Sequence, residues 1–336
     1  MYNALQYRPF ILIFLLFATF VACTQKEAAG DQTAPSGNPK LDKLNAQIKS
    51  NPKNAALYYA RAEAYFGLEG FDEAISDLNQ AIAIDSSKAE YYHLLADAYL
   101  DYFKSYKALK TMETAASRFP QRIPTLLKLS EFQMILRLHK ESMQSIDRVL
   151  KIDPQNAEAF FMFGMNFKQT GDTARAINSF QTAIENDPDL VDAWINLGQL
   201  HAALGNTIAK RYFETATRID PKNIEALHAQ GYYLQSIGDL KGSLAVFKKI
   251  NRIDPNYAEG YFNAGLLLMD MDSIESAYKK FDATIKASPV HIQAFFYRGV
   301  AAEIMGKKQQ ARADYEQALK LAPDYQKAKE GLERVR

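Results

Sequence analysis

Apolar side chains recur at three- and four-residue spacing along most of the chain, in paired stretches separated by short polar turns. This pattern predicts consecutive amphipathic helices joined two by two. The second stretch of each pair ends near a proline, which cannot continue a helix. Pro52, Pro120, Pro154, Pro188, Pro221, Pro255, Pro289 and Pro323 lie 68, 34, 34, 33, 34, 34 and 34 residues apart. A chain of 336 residues would by length suggest about two domains. A fixed period of this size instead denotes an array of repeats. The lattice gives eight units, 55–88, 89–122, 123–156, 157–190, 191–223, 224–257, 258–291 and 292–325, with Ser86 where proline would close the first. Several turns carry glycine followed by a polar residue, as in Gly171-Asp172, Gly205-Asn206, Gly238-Asp239 and Gly306-Lys307. Glycine there ends the first helix in a left-handed conformation, and Asp or Asn caps the second.

The pattern changes at both ends. Phe10–Val21 is an uninterrupted run of 12 largely apolar residues, too short to span a bilayer but suited to a secretory signal. It runs into Phe20-Val21-Ala22-Cys23, which resembles a bacterial lipobox with Phe where Leu is usual. The resemblance implies cleavage of residues 1–22 and lipid on Cys23, the chain's single cysteine. With Thr24 rather than Asp after it, the outer membrane is the expected location. Residues 23–39 contain no large apolar side chain and are expected to form a disordered tether. Thr24–Pro39 would reach roughly 20–24 Å. Residues 40–54 are expected to cap the array through Leu41, Leu44 and Ile48, and residues 326–336 to cap its other end through Ala328, Leu332 and Val335.

Within each unit four positions are coupled. Position 8 is small (Ala62, Ala96, Ser130, Gly164, Gly198, Gly231, Gly265, Gly299), as is position 20 (Ala74, Ala108, Ser142, Ala176, Ala209, Ser243, Ala277, Ala311). Position 27 is small in five units, and position 24 is large and apolar, from Leu78 and Met112 to Phe281 and Tyr315. This register resembles the tetratricopeptide repeat. The resemblance implies an all-α fold, an α-solenoid superhelix of eight helix–turn–helix units with capping helices. The fifth unit is one residue short at its turn, and the second has Phe103 in place of the turn glycine. Phe103 is expected to pack against the neighbouring repeat, the alternative being an exposed contact spot.

Charge and chemistry then narrow the function. There are 40 Lys and Arg against 39 Asp and Glu, and loss of Arg8 with residues 1–22 leaves 39 of each. Such neutrality argues against nucleic acid as a partner. No two of His93, His139, His201, His228 and His291 are three or four residues apart, and no phosphate loop or nucleophile–base pair is present. The expectation is a protein without catalytic activity, cofactor, metal or small-molecule substrate. Its partner is expected to be a protein or peptide, and its membrane contact the N-terminal lipid.

The family resemblance places positions 2, 5, 9 and 12 of each first helix on a concave groove, and their spacing does put them on one helical face. Position 5 includes Tyr59, Phe161, Phe262 and Phe296; position 9 includes Glu63, Asp97, Glu131, Met165, Tyr232 and Leu266; position 12 includes Met269. The expected site is acidic toward the N-terminus and apolar, aromatic and Met-containing further on. For position 5, packing between adjacent first helices is the alternative. No unit combines Lys at position 5 with Asn at position 9, so the resemblance does not extend to the family's clamp for a free C-terminal carboxylate. The expected role is an interaction scaffold of the bacterial cell envelope. The alternatives are a regulatory adaptor of a cell-wall enzyme and a pilus- or secretion-assembly lipoprotein.

Overall fold

The structure, a computed structural model, describes residues 37–336. The signal segment 1–22, Cys23 and the tether through residue 36 lie outside the described residues. Among the described residues there are eighteen α-helices and no strand. The described residues divide into two compact units, the first ending at Asp85 and the second running Ser86–Arg336.

The first unit contains α1 (Pro39–Ser50), α2 (Ala55–Phe66) and α3 (Phe71–Ile84). The Asn38 side chain caps α1 by accepting from the backbone N–H groups of Lys40 and Leu41. Leu41, Leu44 and Ile48 form the buried face of α1. Arg61 on α2 is buried and makes a paired bond to Asp77 on α3, Nε to Oδ2 at 2.7 Å and Nη2 to Oδ1 at 2.6 Å. Its Nη1 donates to Asn45 on α1 at 2.7 Å, so one guanidinium holds three helices together. The bond to Asp77 raises the Arg61 pKa above its already high ordinary value, against the effect of burial.

The second unit consists of seven hairpins and a final helix. The hairpins are α4 (Ala89–Asp101) with α5 (Ser105–Arg118), α6 (Ile123–Ile135) with α7 (His139–Ile152), α8 (Ala157–Gln169) with α9 (Thr173–Asn186), and α10 (Val191–Ala203) with α11 (Ala209–Ile219). They continue with α12 (Ile224–Ser236) and α13 (Leu240–Ile253), α14 (Ala258–Asp270) and α15 (Ile274–Ala287), then α16 (Ile292–Ile304) and α17 (Lys308–Leu321). The last helix is α18 (Gln326–Arg334). Each first helix begins on the first residue of a 33- or 34-residue period.

Each hairpin closes on the contact between positions 8 and 24. A Cβ at Gly164 would stand 2.5 Å from the Phe180 ring, and one at Gly265 2.6 Å from Phe281, so only glycine lets these rings lie against the backbone. Gly198, Gly231 and Gly299 meet Phe213, Phe247 and Tyr315 in the same way. Where position 8 carries a side chain, position 24 is aliphatic: Ala96 with Met112, Ser130 with Ile146, and Ala62 with Leu78 in the first unit, all fully buried. The Ser130 and Ser142 hydroxyls bond at 2.8 Å, and Asn166 Nδ2 donates to Ser142 Oγ at 2.9 Å. The polar atoms of this hairpin core are therefore satisfied.

The turn residue is left-handed at Gly171, Gly205, Gly238 and Gly306, and equally at Phe103 (φ 55°), Arg137 (φ 60°) and Asp272 (φ 55°). Phe103 does not pack against the neighbouring repeat, contrary to the sequence expectation. It is 93% exposed, because the left-handed residue stands at the tip of the turn and directs its side chain away from the packed layer. The carboxyl end is closed by α18. Ala328 and Val335 are buried, Leu332 packs at the edge of the same cluster, and Gly331 lies against the underside of Tyr315. The Tyr315 hydroxyl donates to Glu303 Oε2 at 2.5 Å, and Arg334 Nε donates to Glu303 Oε1 at 2.9 Å.

Arg298 repeats the arrangement of Arg61 at the same register. It bonds Asp314 through Nε (3.0 Å) and Nη2 (2.6 Å), and Asp282 of the preceding hairpin through Nη1 (2.7 Å). Arg at position 7 with Asp at position 23 occurs only in the first and eighth repeats.

Candidate partner-binding face

In the second unit first helices of consecutive repeats touch, as α4 does α6, α6 does α8, and α10 does α12. These helices therefore share one face. Polar contacts between them follow the repeat register. Lys128 Nζ pairs with Asp97 at 2.8 Å. His93 Nε2 shares a hydrogen bond with Thr125 Oγ1 at 2.9 Å. Lys168 Nζ donates to Asn196 Oδ1 at 2.7 Å and to Gln199 Oε1 at 2.9 Å.

At the acidic end, burial pushes the Asp97 carboxyl above its usual range, while Lys128 pulls the other way. Glu131 is exposed. Glu158 is also raised, by burial and by the nearby Glu131. In the first unit Tyr59 is half-buried and Glu63 exposed on α2.

The aromatic residues divide into two groups. Phe262 and Phe296 are only 6% and 8% exposed, which corrects the expectation that they line an open surface. Phe262 is wedged against Phe281 (5.9 Å between centroids), His291 (4.7 Å) and Tyr297 (5.8 Å). Phe296 meets Tyr315 and Tyr325 at 5.9 and 5.3 Å. Position 5 faces both the second helix of its own hairpin and the start of the next repeat, so its side chain belongs to the packing between repeats. Phe161, 5.6 Å from Phe180, is half-buried in the same way. Position 9 is more open. Met165 and Leu266 are half-buried, as is Met269 at position 12, each resting on a core cluster.

Tyr232 is 47% exposed. Its ring stands edge-on to His228 at 4.6 Å and to Phe247 at 5.8 Å. Asn263 Nδ2 donates to its hydroxyl at 3.3 Å and lies equally close to His228 Nε2. Burial lowers the His228 pKa, which favours the neutral ring at this contact.

Sequence reasoning reads Gln199 at position 9 of this face but does not single out Lys168 or Asn263. Lys168 stands at position 12, which is read for its apolar members alone, and Asn263 at position 6, which the register of positions 2, 5, 9 and 12 leaves out. Among the described residues no group of three or more His, Cys, Asp and Glu side chains could hold a metal ion. The arrangement supplies shape, hydrogen bonds and partly open apolar contacts.

Known proteins match this register. Models described as tetratricopeptide repeat match residues 55–88, 191–223 and 292–331, and one described as TPR repeat matches 164–205. Protein O-mannosyl-transferase TMTC1 of Homo sapiens is 27% identical over 162 residues, 47% of this chain and 18% of that protein. DnaJ homolog subfamily C member 3 of Gallus gallus is 22% identical over 223 residues, 60% of this chain and 44% of that protein. The chain thus spans less than half the length of these relatives. The crystal structure of the APC/C hetero-tetramer Cut9-Hcn1 superposes with a TM-score of 0.52 at 17% identity, covering 88% of this chain and 58% of that one; at that identity the likeness is one of fold. With the matches at 55–88 and 191–223 spanning whole periods, and with the position 8 and position 24 residues buried in every hairpin, the chain is built of tetratricopeptide repeats, units that serve as scaffolds for protein–protein interaction.

Proposed function

We propose that the protein is a non-enzymatic scaffold of the bacterial cell envelope, held at the outer membrane by lipid on Cys23, that receives a segment of a partner protein along the face of its first helices. The observation that carries the docking half is Tyr232, an exposed ring held by Asn263, His228 and Phe247. An aromatic side chain already fixed before binding offers a large contact area at little entropic cost. Met165, Leu266 and Met269 add partly open apolar contacts, and Met adapts to irregular partners. Glu131 and Gln199, both exposed, provide a polar margin.

A photoreactive amino acid at position 232 tests the docking half in living cells. It is expected to capture a partner that the same probe at exposed Lys248, on the second helix of that hairpin, does not. Equal capture from both positions overturns the docking face. Anchorage is tested separately by Cys23→Ser, which is expected to move the protein out of the membrane fraction. Retention there at the wild-type level overturns the anchor.

A further inference from the structure

We infer that the turns joining α4 to α5 and α6 to α7 form an edge that contacts the headgroup layer of an anionic lipid bilayer. Phe103 is almost wholly exposed at a positive φ, a combination with no packing benefit inside the protein. Tyr106, one turn further on, is 78% exposed. Lys104 Nζ sits 3.8 Å from the centroid of the Tyr102 ring. Residues 102–112 hold three lysines between Asp101 and Glu113; Lys110 pairs with Glu113 at 3.3 Å, which leaves Lys104 and Lys107 beside the aromatic rings. The following turn continues the character with exposed Ile135 and with Arg137, also left-handed.

Other turns of the same unit differ. Gly171-Asp172 and Gly238-Asp239 put a small residue and an acid at the corresponding places, and Gly306-Lys307 keeps the lysine but has glycine in place of the exposed ring. A glycine at position 103 would be less strained, so the structure holds an exposed aromatic where the fold asks for none.

The composition selects the occupant. Protein interfaces gather aromatic residues but are depleted in lysine at their centres. Aromatic rings beside lysines are instead characteristic of the bilayer interface, where rings lie at headgroup depth and ammonium groups meet phosphates. Among the described residues no helix is long and apolar enough to cross a membrane, so the contact is a shallow one. It would hold this edge of the second unit at the membrane to which Cys23 is proposed to tether the chain.

The test uses the chain from residue 23 onward, which contains every described residue, with Cys23→Ser so that no lipid anchor contributes. Phe103→Cys then supplies a unique thiol for an environment-sensitive dye. Vesicles of phosphatidylethanolamine and phosphatidylglycerol are expected to shift the dye emission to the blue and to raise it. Vesicles of phosphatidylcholine alone are not. The same dye at Asp272→Cys, the left-handed residue of a distant turn, is expected not to respond. In flotation with the anionic vesicles, Phe103→Gly combined with Tyr106→Ser is expected to weaken binding about tenfold or more. A dye at position 103 that ignores anionic vesicles, or responds no more than at position 272, overturns the inference. Because the anchor is absent, this result is independent of the Cys23→Ser fractionation.

Discussion

Gly265 lies under the ring of Phe281 so closely that a Cβ on it would come within 2.6 Å of Cε1. The ring is fully buried and has no free direction in which to move. Gly265→Ala is therefore expected to destabilise the protein by about 2–3 kcal/mol through overpacking, although alanine is the better helix former. Combining it with Phe281→Leu recreates the Ala62–Leu78 pairing of the first repeat. The double variant is expected to be more stable than the sum of the two single changes implies, read as urea midpoints in a double-mutant cycle. Strict additivity would contradict the role given to this contact.

Asp314→Ala removes the paired acceptor of Arg298 and leaves Asp282 as the remaining partner of a largely buried guanidinium. A loss of about 2–4 kcal/mol is expected, less than for a wholly buried orphan because one carboxylate remains. Replacing Arg298 and Asp314 together by Met and Leu is expected to cost less than Asp314→Ala alone, measured by denaturant unfolding.

Burial lowers His93 from 6.5 to about 4, aided by the charges of Lys128 and Arg122 and opposed by Glu90. The unfolded chain therefore takes up a proton before the folded one does. The His93 contribution to stability is constant above pH 6.5, falls as pH drops toward about 4, and is constant again below. His93→Gln is expected to flatten this part of the stability profile between about pH 6.5 and about pH 4, read from denaturation midpoints across that window.

Phe103→Gly is expected to raise stability by about 1 kcal/mol, since glycine adopts the left-handed turn without the cost a side chain incurs. Thermal unfolding measures it. A fall in melting temperature would mean that Phe103 makes a stabilising contact despite its exposure.

The fold was legible because its determinants repeat. Prolines and the position 8 and 24 pairs recur with a constant spacing, so each repeat supports the reading of the others. The binding face was less so. Periodicity places Phe262 and Tyr232 on the same side of their helices, four residues apart in the register, yet one is core and the other is open. The difference lies in what the next repeat presents: His291 and Tyr297 close over Phe262, while Asn263 meets only the hydroxyl end of Tyr232. A helical wheel contains no information about the neighbour. Phe103 was misjudged for a related reason. Its residue type suggested burial, whereas its left-handed backbone, shared with turn glycines, decided its direction.

Arg61 and Arg298 occupy equivalent places in the first and last hairpins, and no repeat between them has the same pairing. Linear arrays ordinarily fray from their terminal units, which have a neighbour on one side only. Here each terminal hairpin is fastened by a guanidinium that grips its own second helix and the helix before it. The interior hairpins lack this bond, and among them α11 is the shortest of the second helices. An ionic clasp thus stands at each of the two places where a linear array has the least packing to hold it.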